Sequence, residues 1–270
     1  MTRSVHPEDR AGRDVESAFA RQTLLDRELV RAAAPERAER VRLLPWLEVV
    51  VLGGSTIVDR GHDVLLPLVD ELRGLIASGD HRLLVLTGAG IRARHVLGIG
   101  LDLGLPAGAL AGLAATESEQ NGRLVAALLA AEGVSYLPHE TVANQLPVHL
   151  AAAHAAVSNG YPPYGVHEFP TSSGRLPVHR TDTGALLLAD AYGAARLVYV
   201  RDEAALAGLP DEVSAKELLA RDGDLPIDRL ALERLQLAQH VRAVTLVDGT
   251  GAGGLTGALE GRGGVTVTAG

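Results

Sequence analysis

The sequence predicts an α/β protein, a three-layer αβα sandwich whose mainly parallel central sheet is covered by helices on both faces. Apolar, β-branched runs alternate along the chain with amphipathic segments of helical period, which is typical of parallel sheets. Two of these runs end in glycine-rich turns, Gly53-Gly54 and Gly88-Ala89-Gly90, and open α/β sheets bind ligands at such carboxyl ends of strands. The 270 residues, 47% of them hydrophobic, suffice to bury a full core.

Each strand is predicted from an apolar run, and each helix from an apolar period of 3.6 residues. The predicted strands are Leu47–Leu52, Arg82–Thr87, Val134–Leu137, Arg196–Val200, Val244–Val247 and Val265–Thr268. The predicted helices are His62–Ser78, Ile91–Leu103, Glu117–Glu132, Val142–His154, Thr183–Tyr192, Ser214–Ala220 and Ile227–His240. Gly133 is predicted to end the helix over 117–132, because glycine adopts the left-handed conformation that closes many helices.

The chain is predicted to consist of an N-terminal arm, residues 1–40, and one domain, residues 41–270. The first 40 residues are highly charged and weakly periodic, with a single helix predicted over 15–34. The apolar side chains of this helix are Phe19, Leu24, Leu25 and Leu29. Two interpretations stay open, an arm that packs on a partner subunit and a frayed tail.

Composition and charge exclude several classes of function. A net charge of −8 argues against a nucleic-acid partner, because phosphate backbones need a basic surface. The absence of cysteine excludes disulfides and thiolate metal sites and fits a reducing cytoplasm. No apolar run forms a signal peptide or reaches the roughly 18 residues of a membrane helix. The chain is therefore predicted to be cytoplasmic, without a membrane partner.

The first glycine turn is typical of a phosphate loop, but it has no lysine beside it. Glycines after a buried strand let backbone N–H groups approach an anion. A nucleotide kinase would normally add a flexible ammonium, yet position 51 is Val51 and the only lysine is Lys216. A bias towards arginine, typical of GC-rich genomes, explains part of this absence.

Ordered segments from about Ala20 to Gly257 carry a resemblance to a known family. They include Ala20-Arg-Gln-Thr-Leu24, Arg42-Leu-Leu-Pro-Trp46, Leu86-Thr-Gly-Ala-Gly-Ile-Arg-Ala-Arg-His95, Gly100-Leu-Asp-Leu-Gly-Leu-Pro106 and His179-Arg-Thr-Asp-Thr-Gly-Ala185. The chain resembles the molybdenum storage branch of the amino acid kinase superfamily, and within it the α-type subunit. The resemblance implies an amino acid kinase-like fold and a hexameric cage of three αβ dimers. Such cages hold polynuclear oxomolybdate or oxotungstate clusters and are driven by ATP.

The resemblance also implies a nucleotide site, from which this chain departs twice. The residues assigned to it are Gly53, Gly54, Gly88, Gly90 and Asp182. Relatives carry a phosphate-binding lysine in place of Val51, and an adenine-binding loop that is missing from residues 201–211. We therefore expect a degenerate site, with ATP and Mg²⁺ disfavoured as cofactors and no independent kinase or ATPase activity. Asp182 also stands at a helix start, where N-capping is an alternative explanation.

The oxometalate contacts implied by the resemblance come from histidines and polar residues in the middle of the chain. They are His139, Gln145, His149, His167 and Glu168. A neutral imidazole can ligate molybdenum, and an amide N–H can donate to an oxo shell. Gln145 and His149 share one helical face because they are four residues apart. The relatives' three consecutive histidines are reduced here to Gly165-Val166-His167, and a lone histidine is more often a surface or hydrogen-bonded residue.

Three hypotheses of function remain open. The favoured one is a subunit of a molybdate/tungstate storage cage that pairs with a paralogous, nucleotide-competent subunit. The others are a degenerate scaffold subunit that binds no metal, and an active amino acid kinase-type phosphotransferase similar to uridylate kinases. Arg92, Arg94 and His95 follow the second glycine turn, where they either steer anions or form ion pairs.

Overall fold

A computed structural model describes residues 41–162 and 176–270. From Arg42 onward the chain forms one compact unit. The predicted arm and its helix over 15–34 lie outside the described residues, as do His167 and Glu168.

The described residues form a single seven-stranded sheet of order β3-β2-β1-β4-β6-β7-β5. The strands are β1 Glu48–Leu52, β2 Leu83–Thr87, β3 Ala155–Asn159, β4 Arg196–Arg201, β5 Glu212–Ser214, β6 Ala243–Asp248 and β7 Val265–Thr268. Strands β3, β2, β1, β4 and β6 are parallel, and β7 is antiparallel to β6 and parallel to β5. The mainly parallel sheet predicted from the sequence is confirmed.

Helices cover both faces of the sheet, so the three-layer arrangement is also confirmed. The helices are α1 His62–Ser78, α2 Gly90–Asp102, α3 Ala107–Leu128, α4 His139–Ala152, α5 Thr181–Tyr192, α6 Glu203–Leu206, α7 Ala215–Leu219, α8 Arg229–Leu235 and α9 Gly254–Leu259. Helices α1, α3 and α9 pack on one face, and α4, α5, α7 and α8 on the other. No helix of the described ranges is long and apolar enough to cross a membrane.

The central strand β1 contributes to both cores because its side chains alternate between the two faces. Val49 and Val51 face α4 and α5, whereas Val50 and Leu52 face α1 and α3. All four side chains are fully buried, and burial of each contributes about 1.5–3 kcal/mol relative to exposure. A strand buried on both faces reads as a continuous apolar run, which is why β1 was predictable.

The predicted strand Val134–Leu137 is wrong, and β3 was not predicted. Within 134–137 only Tyr136 forms a bridge, to Val157 of β3. The true strand, Ala155–Asn159, is Ala-Ala-Val-Ser-Asn, which contains one β-branched residue and therefore carries a weak strand signal. It is placed by pairing with β2 along its whole length, a long-range contact that a local pattern does not report.

Both ends of helix α3 differ from the prediction, and the helix predicted over 227–240 spans only Arg229–Leu235. Helix α3 begins at Ala107 rather than Glu117, because its alanine-rich first turns favour a helix without showing an amphipathic period. It ends at Leu128, and a 3₁₀ turn, Ala130–Glu132, then closes at Gly133, whose φ of 75° is left-handed. Gly133 is thus a C-cap, as predicted, but it closes the 3₁₀ turn and not the helix α3 itself.

The direction of the chain across the sheet reverses at β1. From β1 the chain moves outward to β2 and β3, and it then returns to place β4 on the other side of β1. A crevice opens at such a reversal, outside the carboxyl ends of the strands. The candidate site is therefore expected beyond the ends of β1 and β4.

Candidate functional site

The two glycine turns lie side by side at the carboxyl ends of β1 and β2 and touch through their backbones. A Cβ atom on Gly54 would lie 2.6 Å from Gly90 Cα, and one on Gly88 would lie 2.7 Å from Gly54 N. No L side chain fits at either position without moving backbone. The structure thus brings Gly53, Gly54, Gly88 and Gly90 together at the predicted edge, where turn-to-turn contact itself requires glycine.

The start of α2, just after the second turn, is occupied by side chains of this protein. The Ile91 N–H donates to Asp59 Oδ2 at 2.5 Å. Arg92 donates through Nε to Glu117 Oε2 at 3.0 Å and through Nη2 to Asn121 Oδ1. Of the two explanations for Arg92, the ion pair is the one that the structure supports. Asn121 also donates to the Gly88 carbonyl at 2.7 Å and so fastens α3 to the turn.

The end of β3 meets the first turn of α5, and the polar residues of these two segments are here called the β3–α5 cluster (Ser158, Asn159, Thr181 and Thr183). A Cβ on Gly160 would lie 2.5 Å from Thr181 Cγ2, so the strand end and the helix start are in direct contact. Ser158 Oγ, Asn159 Oδ1 and Thr183 Oγ1 are buried without a hydrogen-bond partner in the described ranges. A buried polar group left unpaired costs about 1–3 kcal/mol.

The first N–H groups of α5 add donors to this cluster. The N-cap residue is Arg180, whose side chain makes no capping hydrogen bond. Among the described residues the N–H groups of Thr181, Asp182 and Thr183 have no acceptor, and the first paired one is Gly184 N–H, to the Arg180 carbonyl at 2.8 Å. Free N–H groups at a helix start bind anions.

His139 begins α4 and joins the β3–α5 cluster through a hydrogen bond. Its Nδ1 lies 2.9 Å from the Asn159 carbonyl oxygen, so the ring carries its proton on Nδ1 and leaves the Nε2 lone pair available. Burial lowers the pKa of His139, which keeps the ring neutral. An imidazole whose second nitrogen donates to a carbonyl is the usual form of a metal-ligating histidine.

The other predicted metal contacts are not gathered around His139. Gln145 is exposed and His149 is half-buried, both on α4. Within 41–162 and 176–270, no three His, Cys, Asp or Glu side chains converge as a metal-binding group. His167 and Glu168 lie outside those ranges, so their place relative to α4 stays a prediction.

Asp182 belongs to a second group of side chains, here called the Arg–Asp cluster (Arg180, Asp182, Arg201 and Asp228). The N-capping explanation for Asp182 is wrong, because Arg180 is the N-cap residue and Asp182 lies inside the first turn. Its Oδ1 accepts from Arg201 Nη2 at 2.6 Å, and its Oδ2 accepts from the Asp228 N–H at 3.0 Å. Sequence reasoning missed Arg201 and Asp228, since no local motif contains them.

Arg201 is the last residue of β4 and is buried beside the end of β1. Its guanidinium donates to the carbonyl oxygens of Pro226 and Val200 at 3.0 and 3.1 Å, and its Cζ lies 5.2 Å from the centre of the Tyr199 ring. Tyr199 is the register partner of Val51. A cation therefore lies one strand away from the apolar Val51, but each of its three nitrogens already donates one hydrogen bond, to Asp182 or to a carbonyl oxygen.

Asp228 precedes α8 and has an unusual protonation equilibrium. Burial, followed by the negative charge of Asp182, raises the pKa of Asp228 to about 7. Arg180 lies against it, with Nη2 2.8 Å from Asp228 Oδ1, and opposes that rise. A carboxyl group that titrates near neutral pH beside a cleft is a common property of functional sites.

The fold and the glycine turns define a class of protein, and comparison with known proteins identifies it. Residues 46–258 match the amino acid kinase family, and the chain belongs to that family. It is 37% identical over 259 residues to the molybdenum storage protein subunit beta of Azotobacter vinelandii (strain DJ / ATCC BAA-1303), covering 92% of this chain and 94% of that protein. Because this relative is a beta subunit, the predicted α-type assignment is not confirmed.

Solved structures of uridylate kinases have the same fold. The uridylate kinase from Archaeoglobus fulgidus superposes with a TM-score of 0.58 at 16% identity, covering 82% of this chain and 100% of that one. The UMP kinase from Bacillus anthracis gives a TM-score of 0.59 at 11% identity, covering 83% and 97%. At these identities the likeness concerns the fold alone.

Proposed function

We propose that this chain is a subunit of a cytoplasmic molybdate/tungstate storage cage that holds polynuclear oxometalate clusters and pairs with a paralogous, nucleotide-binding subunit. The observation that carries the proposal is the 37% identity, over 92% of the chain, to a molybdenum storage subunit. The lack of cysteine fits the cytoplasmic location.

The β3–α5 cluster supports the choice of an oxyanion as cargo. It offers the free N–H groups of α5 and the buried hydroxyl groups of Ser158 and Thr183, which have no partner in the described ranges. The neutral ring of His139 lies next to it and presents Nε2, a ligand suited to molybdenum. We assign further contacts with the bound oxometalate to Gln145, His149, His167 and Glu168.

The nucleotide site of this chain is proposed to be degenerate. A kinase needs a mobile cation that follows the charge of the transferred phosphoryl group. Val51 carries no charge, and Arg201 is fixed by Asp182 and by two carbonyl oxygens. We therefore assign no independent kinase or ATPase activity to this chain.

Helix α2 supports assembly with a second subunit. Only Ala93 and Gly100 of this helix are buried. Ile99 is half exposed, and Ile91 and Leu103, the latter just beyond the end of the helix, are more than half exposed. Charge along the helix is self-complementary, since Arg94 and His95 lie towards its start and Asp102 at its end. We propose that α2 packs antiparallel on the α2 of a subunit of the same fold, which pairs these charges and covers the isoleucines.

The test is the molybdenum content per subunit, measured by elemental analysis after the assembled protein is loaded with molybdate. The wild type should retain many molybdenum atoms per subunit, and His139→Ala and His149→Ala should retain fewer. His62→Ala is the matched control, because its ring is 84% exposed on α1, and it should load like the wild type. If the wild type holds no metal, with or without a nucleotide-competent partner, the storage proposal fails and the hypothesis of a scaffold subunit that binds no metal takes its place.

A further inference from the structure

We infer that the exposed face of α2 binds a second copy of this chain, through an isologous contact in which the two α2 helices run antiparallel and cross at Gly98. The inference rests on the proposed function, because it uses the face that we assign to assembly. It goes further by naming the partner, the crossing point and the reciprocal ion pairs, which join Arg94 of each copy to Asp102 of the other.

Helix α2 turns one side to the rest of the domain and leaves the other side open. Ala93 and Gly100 are its buried residues. On the opposite side lie Arg94, Gly98 and Asp102, all of them exposed. These three residues are spaced by four, so they form one continuous ridge along the helix surface. Such ridges are the ones that meet in the commonest class of helix packing.

The two charges of this ridge are unpaired and symmetrically placed. Among residues 41–162 and 176–270, neither Arg94 nor Asp102 makes a hydrogen bond or an ion pair through its side chain. Both lie four residues from Gly98, on opposite sides of it. An antiparallel crossing at Gly98 therefore places Arg94 of each copy opposite Asp102 of the other, which forms the same ion pair twice. This self-complementarity is what an isologous contact between identical chains requires.

Gly98 has no role in the packing of its own chain. A Cβ atom at this position would meet nothing within 4 Å among the described residues. Glycine in the interior of an exposed helix is destabilising relative to alanine. At a helix crossing, however, the missing side chain lets two backbones approach closely. The contact between copies thus explains a glycine that the single chain does not need.

An open glycine alone does not mark a contact, as comparison with Gly74 of α1 makes clear. A Cβ on Gly74 would also meet nothing within 4 Å among the described residues. Its neighbours on the same ridge are Asp70 and Ser78, and Asp70 is already paired with Arg73 at 2.7 Å. The α2 ridge differs because it carries opposite charges that have no partner in the described ranges.

Apolar side chains beside the ridge supply the favourable free energy of association. Ile91 lies seven residues before Gly98 and so on nearly the same line of the helix, and Ile99 directly follows Gly98. These isoleucines are 58% and 50% exposed. The crossing covers them in both copies, and burial of apolar surface is the main favourable term in most protein association. The charges then fix the direction and register of the two helices.

The experiment is sedimentation velocity of the purified full chain, without its paralogous subunit, over a wide range of concentrations. The wild type should pass from monomer to dimer as the concentration rises. Gly98→Ala adds a methyl group at the crossing and should raise the dissociation constant by about tenfold or more. Gly74→Ala is the matched control, because it makes the same change on an open helix surface, and it should leave the dissociation constant unchanged.

Urea unfolding separates a lost contact from a folding defect. It is measured in the background of Ile99→Glu, which keeps the chain monomeric. In that background Gly98→Ala and Gly74→Ala should both raise the midpoint of unfolding, because alanine favours the helix more than glycine does. A more stable monomer that forms a weaker dimer is the result expected for Gly98→Ala, and a damaged fold does not produce it.

Charge reversal tests the reciprocity of the contact. Arg94→Asp and Asp102→Arg should each stay monomeric at concentrations where the wild type is dimeric, because each homodimer would oppose like charges twice. An equimolar mixture of the two variants should recover a dimer of nearly wild-type affinity, since both pairs across the contact again join opposite charges. A contact that does not relate position 94 to position 102 gives no such recovery.

The results separate this inference from the proposed function. A wild type that stays monomeric at every concentration overturns the inference, as does a Gly98→Ala dimer as tight as that of Gly74→Ala. A mixture of the two charge variants that stays monomeric, while the wild type forms dimers, overturns it too. None of these outcomes bears on storage, which the molybdenum content of the mixed assembly decides. If the self-contact forms as described and the mixed assembly holds no metal, the proposed storage fails and this inference stands.

Discussion

A carboxylate of this protein can be stabilised mainly by backbone N–H groups. Asp190, on α5, is the clearest case, because it accepts the N–H groups of Gln239, His240 and Val241 at 2.6–3.0 Å. Burial alone would raise the pKa of Asp190, but these three donors lower it below its ordinary value. The carboxylate thereby fixes the segment between α8 and β6.

Replacing Asp190 by Asn should lower the free energy of unfolding by about 1–3 kcal/mol at neutral pH, since the N–H groups lose a charged acceptor. Because the folded pKa lies below the unfolded one, this stabilisation is present above the unfolded pKa and is lost as pH falls through the folded pKa. Urea unfolding at neutral and acid pH measures both effects. Asp63→Asn, at a side chain 95% exposed, should change little. An equal loss at all pH values would contradict this account.

At the scale of elements, the sequence predicted best where local pattern and burial agree. β1 and β2 are apolar runs buried on both faces, and α1 was predicted with its observed bounds, His62–Ser78. β3 was missed because its Ala-Ala-Val-Ser-Asn sequence is placed by its neighbour β2. The short strand β5 was missed for the same reason, since it pairs with β7 over three residues.

The exposed face of α2 allows a test of assembly. Ile99→Glu places a carboxylate within the proposed antiparallel contact, where it would be buried without a partner. The mass of the assembly measured by light scattering should fall, while the unfolding of the isolated subunit should change by less than about 0.5 kcal/mol. Leu237→Glu changes a residue that is 64% exposed beyond α8 and should leave the mass as it is. An unchanged mass for Ile99→Glu would rule out this face as the contact.

At the scale of the whole molecule, the edge of the sheet that carries the site was predictable, but its ion pairs were not. The glycine turns mark the ends of β1 and β2, and parallel strands place those ends together. The Arg–Asp cluster joins residues 19, 46 and 48 positions apart, from β4, the start of α5 and the segment before α8. Such pairs follow from the packing of these elements, which no spacing along the sequence reveals.

The purified chain alone should not hydrolyse Mg-ATP. Val51 leaves the end of β1 without a cation, and the buried Arg201 cannot follow a moving phosphoryl group without breaking its pair with Asp182 at 2.6 Å. The measurement is phosphate release by the single subunit, with molybdate loading of the mixed assembly as a positive control for folding. Turnover at an ordinary kinase rate that disappears in Asp182→Ala would contradict the degenerate site and favour the phosphotransferase hypothesis. Turnover that appears only when the paralogous subunit is added would place the nucleotide chemistry on that partner, as the storage-cage proposal requires.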